Sequence, residues 1–406
     1  MNQRGSITLS ANYPGDPFGF RSIQQKFPPK MGEKTSTAFL CARGGERAYH
    51  ALVYNRDEFL APCMVSDKWV FTESEEAPNE LFTAALILDL FADSVMLGTH
   101  QARLAETVEL SLTEQGQVHF FADRSLLPAD VDCTSIGVAA LNRAGRLRDE
   151  YLHTAIDAVV NNRTEDGVIH VYFVENDRRY GILDPVVCMN ALFLVALGGR
   201  SEEVVETRNF LFDVFEHGWC KNGTRYYPSQ DAVLYFLARL VHYFPEEYEA
   251  FRPILYAHIK ERLGQIGSPM QIAHRTIAAI WLGMSVEDEI RQLVAMQNLN
   301  GMWTADAFFR FGRKEKYFGS EVLTTAFALK ALCLYNGRTC SQELEAASIL
   351  QVIGQDPSPT GCLSRPPSPN LNPTFKAKTL AANQCTSYPN AGDIPIDEMR
   401  SGLGAI

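Results

Sequence analysis

The chain has 406 residues, of which 46% are hydrophobic and 21% charged, enough apolar material for a large core and too much for a mainly disordered polymer. Lys+Arg 37 against Asp+Glu 48 leaves a net charge of -11, which repels polyphosphate at long range and argues against general nucleic-acid binding, although a local basic cluster can still hold one anion. No apolar run reaches the roughly 18 residues of a spanning helix. The N-terminus lacks the apolar stretch of a secretory leader. Nine cysteines without a CxxC pair read as reduced thiols rather than a zinc ribbon or disulfide framework. The expectation is a cytoplasmic protein with no membrane span and no nucleic-acid partner.

Residues 1–74 are punctuated by Gly, Pro and Ser (NYPGDPFGF, FPPKMGEKTS) and read as an irregular extension, with a strand or short helix near Tyr49 to Asn55. From residue 75 the pattern changes to long apolar-periodic segments, the signature of helices. Residues 75–105 and 134–160 each fit a helix pair. Nearly all-apolar helices over 184–197, 229–244 and 320–335 alternate with charged, amphipathic ones such as 201–217 and 246–263, and a further pair fits between 270 and 297. Three of the intervening loops repeat one form: Asp166-Gly167, Asn222-Gly223 and Asn300-Gly301, each running into aromatic residues. After residue 355 the chain turns Pro/Ser-rich (DPSPTGCLSRPPSPNLNPTF) and cannot continue a helix.

Apolar helices alternating with amphipathic ones predict an all-α fold, an (α/α)6 toroid over residues 75–354 with inner helices ringed by outer ones. The alternative is an open α-solenoid. In a closed ring the inner helices run parallel, so the loops before them gather at one mouth.

At the start of one inner helix stands LLPADVDCTSIGVAAL. Helix capping accounts for one of Asp130, Asp132, Thr134 and Ser135. Two carboxylates in an apolar pocket do something more, because each pushes the other's pKa up and a carboxyl kept neutral can act as a general acid. Arg178-Arg179 and the run Arg310, Arg313, Lys314, Lys316 also fall in loops that precede inner helices, where guanidinium forks suit phosphate oxygens; Arg225 is a weaker candidate. The alternative is a solvated surface cluster. No HExxH or similar metal-ligand spacing occurs, so no protein-held metal is expected.

DVDCTS resembles the DxDD(T) signature of class II terpene cyclases, and is most similar to the DxDTT variant in cyclase domains of drimane-type sesquiterpene synthases, often fused to a haloacid-dehalogenase-like phosphatase. The tracts VYFVENDRRYGILDPVVCMNAL, GTRYYPSQDAVLYFLARL and FFRFGRKEKYFGSEVLTTAFALKAL agree with that group, and QNLNGMW resembles a degenerate QW motif. The resemblance implies that Asp132 protonates the terminal alkene of a linear prenyl diphosphate, that Asp130 holds and reprotonates it, and that Thr134 fills the place of the small hydroxyl. It implies Arg178, Arg179, Arg310, Arg313 and Lys316 as diphosphate ligands, magnesium accompanying the diphosphate, and a bicyclic drimane-type product that keeps its diphosphate for a separate phosphatase. Farnesyl diphosphate is the first-choice substrate. Cys133 departs from the pattern, standing where an Asp or Thr is usual. A carbohydrate-active α/α toroid working with two carboxylates is the alternative enzyme, and a helical-repeat scaffold with capping aspartates the non-enzymatic one. A protein prenyltransferase subunit would need a DxC zinc spacing that adjacent Asp132 and Cys133 do not give.

Overall fold

Asp130, Asp184, Ser268 and Ser320 each accept a backbone N–H from the first turn of the helix that follows, and Pro185 and Pro269 stand in those first turns, where a missing N–H costs nothing. Those start signals set four of the inner helices. The computed structural model describes residues 37–54, 64–66, 74–76, 80–94, 97–175, 177–312 and 314–337. Among them are twelve helices of more than two turns: α1 (Thr37–Tyr54), α2 (Phe82–Phe91), α3 (Thr99–Ser111), α4 (Val131–Arg143), α5 (Asp149–Asn161), α6 (Pro185–Leu197), α7 (Val205–Glu216), α8 (Gln230–Tyr243), α9 (Arg252–Arg262), α10 (Pro269–Trp281), α11 (Glu287–Ala295) and α12 (Glu321–Tyr335).

The even-numbered helices form a closed inner ring. α2 packs on α4, α4 on α6, α6 on α8, α8 on α10, α10 on α12, and α12 returns to α2. They are largely apolar because they are covered on every side: every residue of α2 is buried, as is every residue from Val186 to Ala196 in α6. The odd-numbered helices lie outside and bury one stripe each, as α5 does with Leu152, Ala155, Ile156, Val159 and Val160. The fold is therefore the expected (α/α)6 toroid and not a solenoid.

Three expectations are corrected. The helix α1 falls within the stretch read as an irregular extension, yet it packs on α12 and α11 and supplies the sixth outer helix. Gln297 of the QNLNGMW tract shows why it docks: its side-chain N–H groups donate to Gly44 O at 2.9 Å on α1 and to Gly301 O at 2.8 Å. Glu75 and Glu76 form a strand, and α2 begins at Phe82. Residues 246–263 are not one helix, because Pro253 lacks an N–H and α9 starts afresh around it, after short turns over Pro245–Tyr248 and Glu249–Phe251. The Pro/Ser-rich tail and the predicted toroid boundary at residue 354 lie outside the described residues.

The Asx-Gly repeat has a steric cause. Gly223 has φ +78° and Gly301 φ +90°, and a Cβ at either would fall 2.4 Å from the Pro228 carbonyl carbon or 2.6 Å from the Arg47 carbonyl oxygen. Only glycine fits these tight returns from outer to inner helix. Four short antiparallel strands, β1 (Met64–Ser66), β2 (Glu75–Glu76), β3 (Phe309–Arg310) and β4 (Tyr317–Gly319), pair in the order β2-β1-β4-β3. The β3–β4 hairpin belongs to the loop before α12, and Arg310 N donates to Tyr226 O at 2.7 Å, fixing it to the loop before α8. Toward the opposite end of the barrel, Asp89 on α2 accepts from Arg143 at 2.8 Å and Arg239 at 2.7 Å; against its burial, the two guanidiniums hold its carboxyl below the usual range. Among the described residues no helix is long and apolar enough to cross a membrane.

Candidate active site

Parallel inner helices bring the loops before α4, α6, α8 and α12 to one mouth, which opens into a cavity of about 1140 Å3, counting the space at its opening. Asp130, Asp132, Arg178, Arg179, Arg225, Arg310 and Lys314 all line it. The acids are buried, at 4% and 8% exposure, whereas Arg178 and Lys314 are exposed and Arg179, Arg225 and Arg310 half-buried. The carboxyls are therefore deep and the cations toward the rim.

Asp130 is the N-cap of α4 and accepts Cys133 N–H at 2.8 Å. Asp132 lies on the first turn and makes no capping bond in the helix. Its Oδ2 accepts the Tyr227 hydroxyl at 2.5 Å and its Oδ1 accepts the Asn190 amide at 2.8 Å. Burial, aided by the neighbouring charge of Asp130, pushes the Asp132 carboxyl up to about 7, with the two hydrogen bonds working the other way. Burial also lifts Asp130, to about 6, against the backbone N–H it accepts from Cys133. The pair is thus lifted out of the ordinary carboxylate range toward neutrality, and it faces an aromatic chamber.

Phe82, Phe120, Phe309 and Phe318 form one wall, with ring centroids 5.2 to 6.0 Å apart in the contacting pairs. Tyr172, Tyr226, Tyr227 and Phe311 complete the aromatic lining. Arg310 is held by the Arg225 and Thr224 carbonyls, each at 3.2 Å. Arg179 pairs with Asp177 at 3.1 Å. The Arg225 Nε is buried without a hydrogen-bond partner, so the side chain has donor capacity to spend on an anion in the cavity.

Not every expected residue arrives here. Thr134 is fully buried behind the first turn, where its hydroxyl accepts Val118 N–H at 2.9 Å, and it does not line the cavity. Lys316 is exposed and also outside the lining, because the hairpin turn carries it away while Lys314 points in. Arg313 lies outside the described residues. Asp184 caps α6, accepting Val186 N at 2.9 Å, and its other oxygen also fixes Tyr226 N at 3.1 Å. Sequence reasoning gives Asn190 no settled partner and no role to Tyr227. Tyr227 stands in the GTRYYP tract beside Arg225, but nothing in spacing alone brings residue 227 to residue 132.

Fold and site together define a class: an α/α toroid with a buried carboxyl pair at depth and cationic side chains toward the rim. Comparison with known proteins finds similarity to class II terpene cyclases, among them drimane-type ones. Residues 58–197 match the model of the sesquiterpene cyclase astC-like C-terminal domain. Drimenol cyclase drtB of Aspergillus calidoustus is 28% identical over 207 residues, which is 50% of this chain and 38% of that protein; the chain spans well under half the length of this relative. Among solved structures, the type II terpene cyclase MstE of Scytonema superposes with TM-score 0.55 at 14% identity, covering 74% of this chain and 99% of that one. A protein from Actinoplanes gives TM-score 0.53 at 16% identity, covering 72% and 99%. At those identities the structures speak for the fold alone.

Proposed function

We propose that this chain is a class II terpene cyclase that protonates the terminal alkene of a linear prenyl diphosphate, with farnesyl diphosphate as substrate, and releases a bicyclic drimane-type product with its diphosphate intact. The observation that carries the reading is one cavity with two buried, adjacent carboxyls at its depth and five cationic side chains toward its rim. An isolated alkene is a feeble base, so the proton must come from an acid that is neutral at rest, positioned and dry. Asp132 meets these conditions. Its O–H proton goes to the terminal alkene carbon, the π electrons form the new C–H bond, and the cation that results is met by the next double bonds of the chain. Asp130 holds the turn that carries Asp132 and serves to restore its proton. Ring closure proceeds against aromatic faces, which attract cations and hold no water that would quench one.

Arg178, Arg179, Arg225, Arg310 and Lys314 hold the diphosphate, which does not react. An MstE structure contains geranylgeranyl dihydroxybenzoate as its substrate, but a benzoate head group carries one carboxylate, and a rim of five cations fits a diphosphate better. Magnesium enters with the substrate. The rim offers guanidinium and ammonium groups, which repel a metal ion, and among the described residues no group of three His, Cys, Asp or Glu side chains could hold one. The chain's own residues therefore do not fit as its ligands; magnesium belongs on diphosphate oxygens, and no step above runs through it. A separate phosphatase would release the alcohol.

The test is incubation of the purified chain with farnesyl diphosphate and magnesium, phosphatase treatment of the products, and gas chromatography–mass spectrometry of the extract. A bicyclic alcohol supports the proposal. Recovery of farnesol alone, with geranylgeranyl diphosphate also left uncyclised, overturns it.

A further inference from the structure

We infer that Tyr172 and Tyr226 form a diphosphate subsite between the acid pair and the cationic rim, in which the one hydroxyl proton that their mutual hydrogen bond leaves unspent donates to the phosphate nearest the prenyl chain. The inference rests on the reading above that the substrate is a prenyl diphosphate. Both side chains line the cavity, Tyr172 from the loop before α6 and Tyr226 from the loop before α8. Their hydroxyls lie 3.1 Å apart and share one hydrogen bond. Each tyrosine brings a single O–H donor, so whichever of the two donates, one proton remains. Among the described residues no hydrogen bond takes it up. The nearby carboxylates are engaged by backbone: Asp184 accepts from Val186 N at 2.9 Å and Tyr226 N at 3.1 Å, and Asp130 from Cys133 N at 2.8 Å.

The surroundings suit an anion. Arg179 lies over the Tyr172 ring at 5.8 Å and Arg225 over the Tyr226 ring at 5.6 Å, each within reach of cation–π attraction. The hydroxyl pair is therefore flanked by two guanidiniums, and its spare O–H turns a positive end to whatever lies between them, which a phosphate oxygen accepts and a carbocation does not. Burial raises both phenols above their ordinary range, Tyr172 well above it, so both stay protonated donors at any working pH. Tyr172 is 7% exposed, deeper than the exposed Arg178 and the half-buried Arg179, so the hydroxyl meets the inner phosphate and the guanidiniums the outer one. Its depth is fixed by backbone. Tyr172 pairs antiparallel with Asp130, where Val131 N donates to Val171 O at 2.8 Å and Phe173 N to Ala129 O at 3.3 Å. On the facing loop, the Tyr226 carbonyl accepts Arg310 N at 2.7 Å. One short ladder thus carries both the acid turn and the donor, and sets how far the head group sits from the acid.

Isothermal titration calorimetry with inorganic pyrophosphate and magnesium tests this on the full chain and on Tyr172→Phe, Tyr226→Phe and the double variant. Either single variant still has one hydroxyl and no longer a partner to spend it on, so affinity should fall by no more than about threefold. The double variant has no donor left, and affinity should fall about ten- to a hundredfold, well beyond the product of the two single effects. KM for farnesyl diphosphate should follow the same order with the product unchanged. A purely structural contact between the two loops gives a different pattern, because each single substitution already breaks the pair and would lose as much as the double one. That pattern overturns the inference, as does a double variant that binds pyrophosphate like the wild-type chain, or a wild-type chain that binds none. If the double variant does not fold, the single ones decide: near-normal affinity in both supports the unspent donor, and a loss of about tenfold in either refutes it. If the wild-type chain binds pyrophosphate but forms no cyclic product, the cyclase reading fails while the titration still decides the subsite.

Discussion

Replacing Asp132 with Asn should abolish cyclisation and stabilise the protein at once. The amide fills the same space and its oxygen can still accept from Asn190, but it has no proton for an alkene, so turnover should drop by at least about 10³-fold. The stability gain follows from the raised carboxyl. Its folded value near 7 stands about three units above that of an unfolded aspartate, so the wild-type chain bears no such cost below about pH 4, accrues it between about pH 4 and 7, and carries it in full above that. Because part of the rise depends on Asp130, the cost at pH 8 is on the order of 2–4 kcal/mol. For a chain of this size that is a rise in melting midpoint of several degrees at pH 8, and almost none at pH 4. Calorimetry at both pH values and product analysis with farnesyl diphosphate check the two halves. Near-normal turnover in Asp132→Asn would refute the general-acid role, and equal midpoints for both proteins at pH 8 would refute the buried, elevated carboxyl.

Tyr227→Phe removes a donor that favours ionised Asp132, so the alkaline limb of the pH profile should move to higher pH while maximal turnover falls, and titrating kcat shows it. Arg225→Ala should raise KM for farnesyl diphosphate about ten- to a hundredfold with an unchanged product, as fits one lost charge-assisted bond, whereas Lys316→Ala should leave KM within about twofold because Lys316 lies outside the cavity lining. His274, on inner helix α10, is fully buried with neither ring nitrogen hydrogen-bonded, and burial holds it down to about 3. The unfolded chain therefore binds a proton that the folded one refuses below about pH 6.5, and His274→Leu should make unfolding in denaturant at pH 5 harder by about 1–3 kcal/mol, with a smaller gain at pH 8.

What the sequence determined by itself was local or periodic. Helices buried on every side must be apolar all round, so the inner ring is legible in the residues of α6 and α12 alone. The capping aspartates and serines set where those helices begin, and Asp-Gly and Asn-Gly mark returns that only glycine can make. Parallel inner helices then place Asp132 and the arginine loops at a common mouth. Other features were decided only in three dimensions. The chain's first described helix closes the ring beside its last one, a pairing across almost three hundred residues that no short window contains. A basic run such as 310–316 reads as a block, yet the hairpin turn separates Lys314, which lines the cavity, from Lys316, which does not. Asn190 and Tyr227 look like ordinary members of an apolar helix and an aromatic loop. They become the hydrogen-bond partners of Asp132 because ring closure brings α6 and the loop before α8 against the first turn of α4, and a buried carboxyl recruits whatever donors that packing delivers.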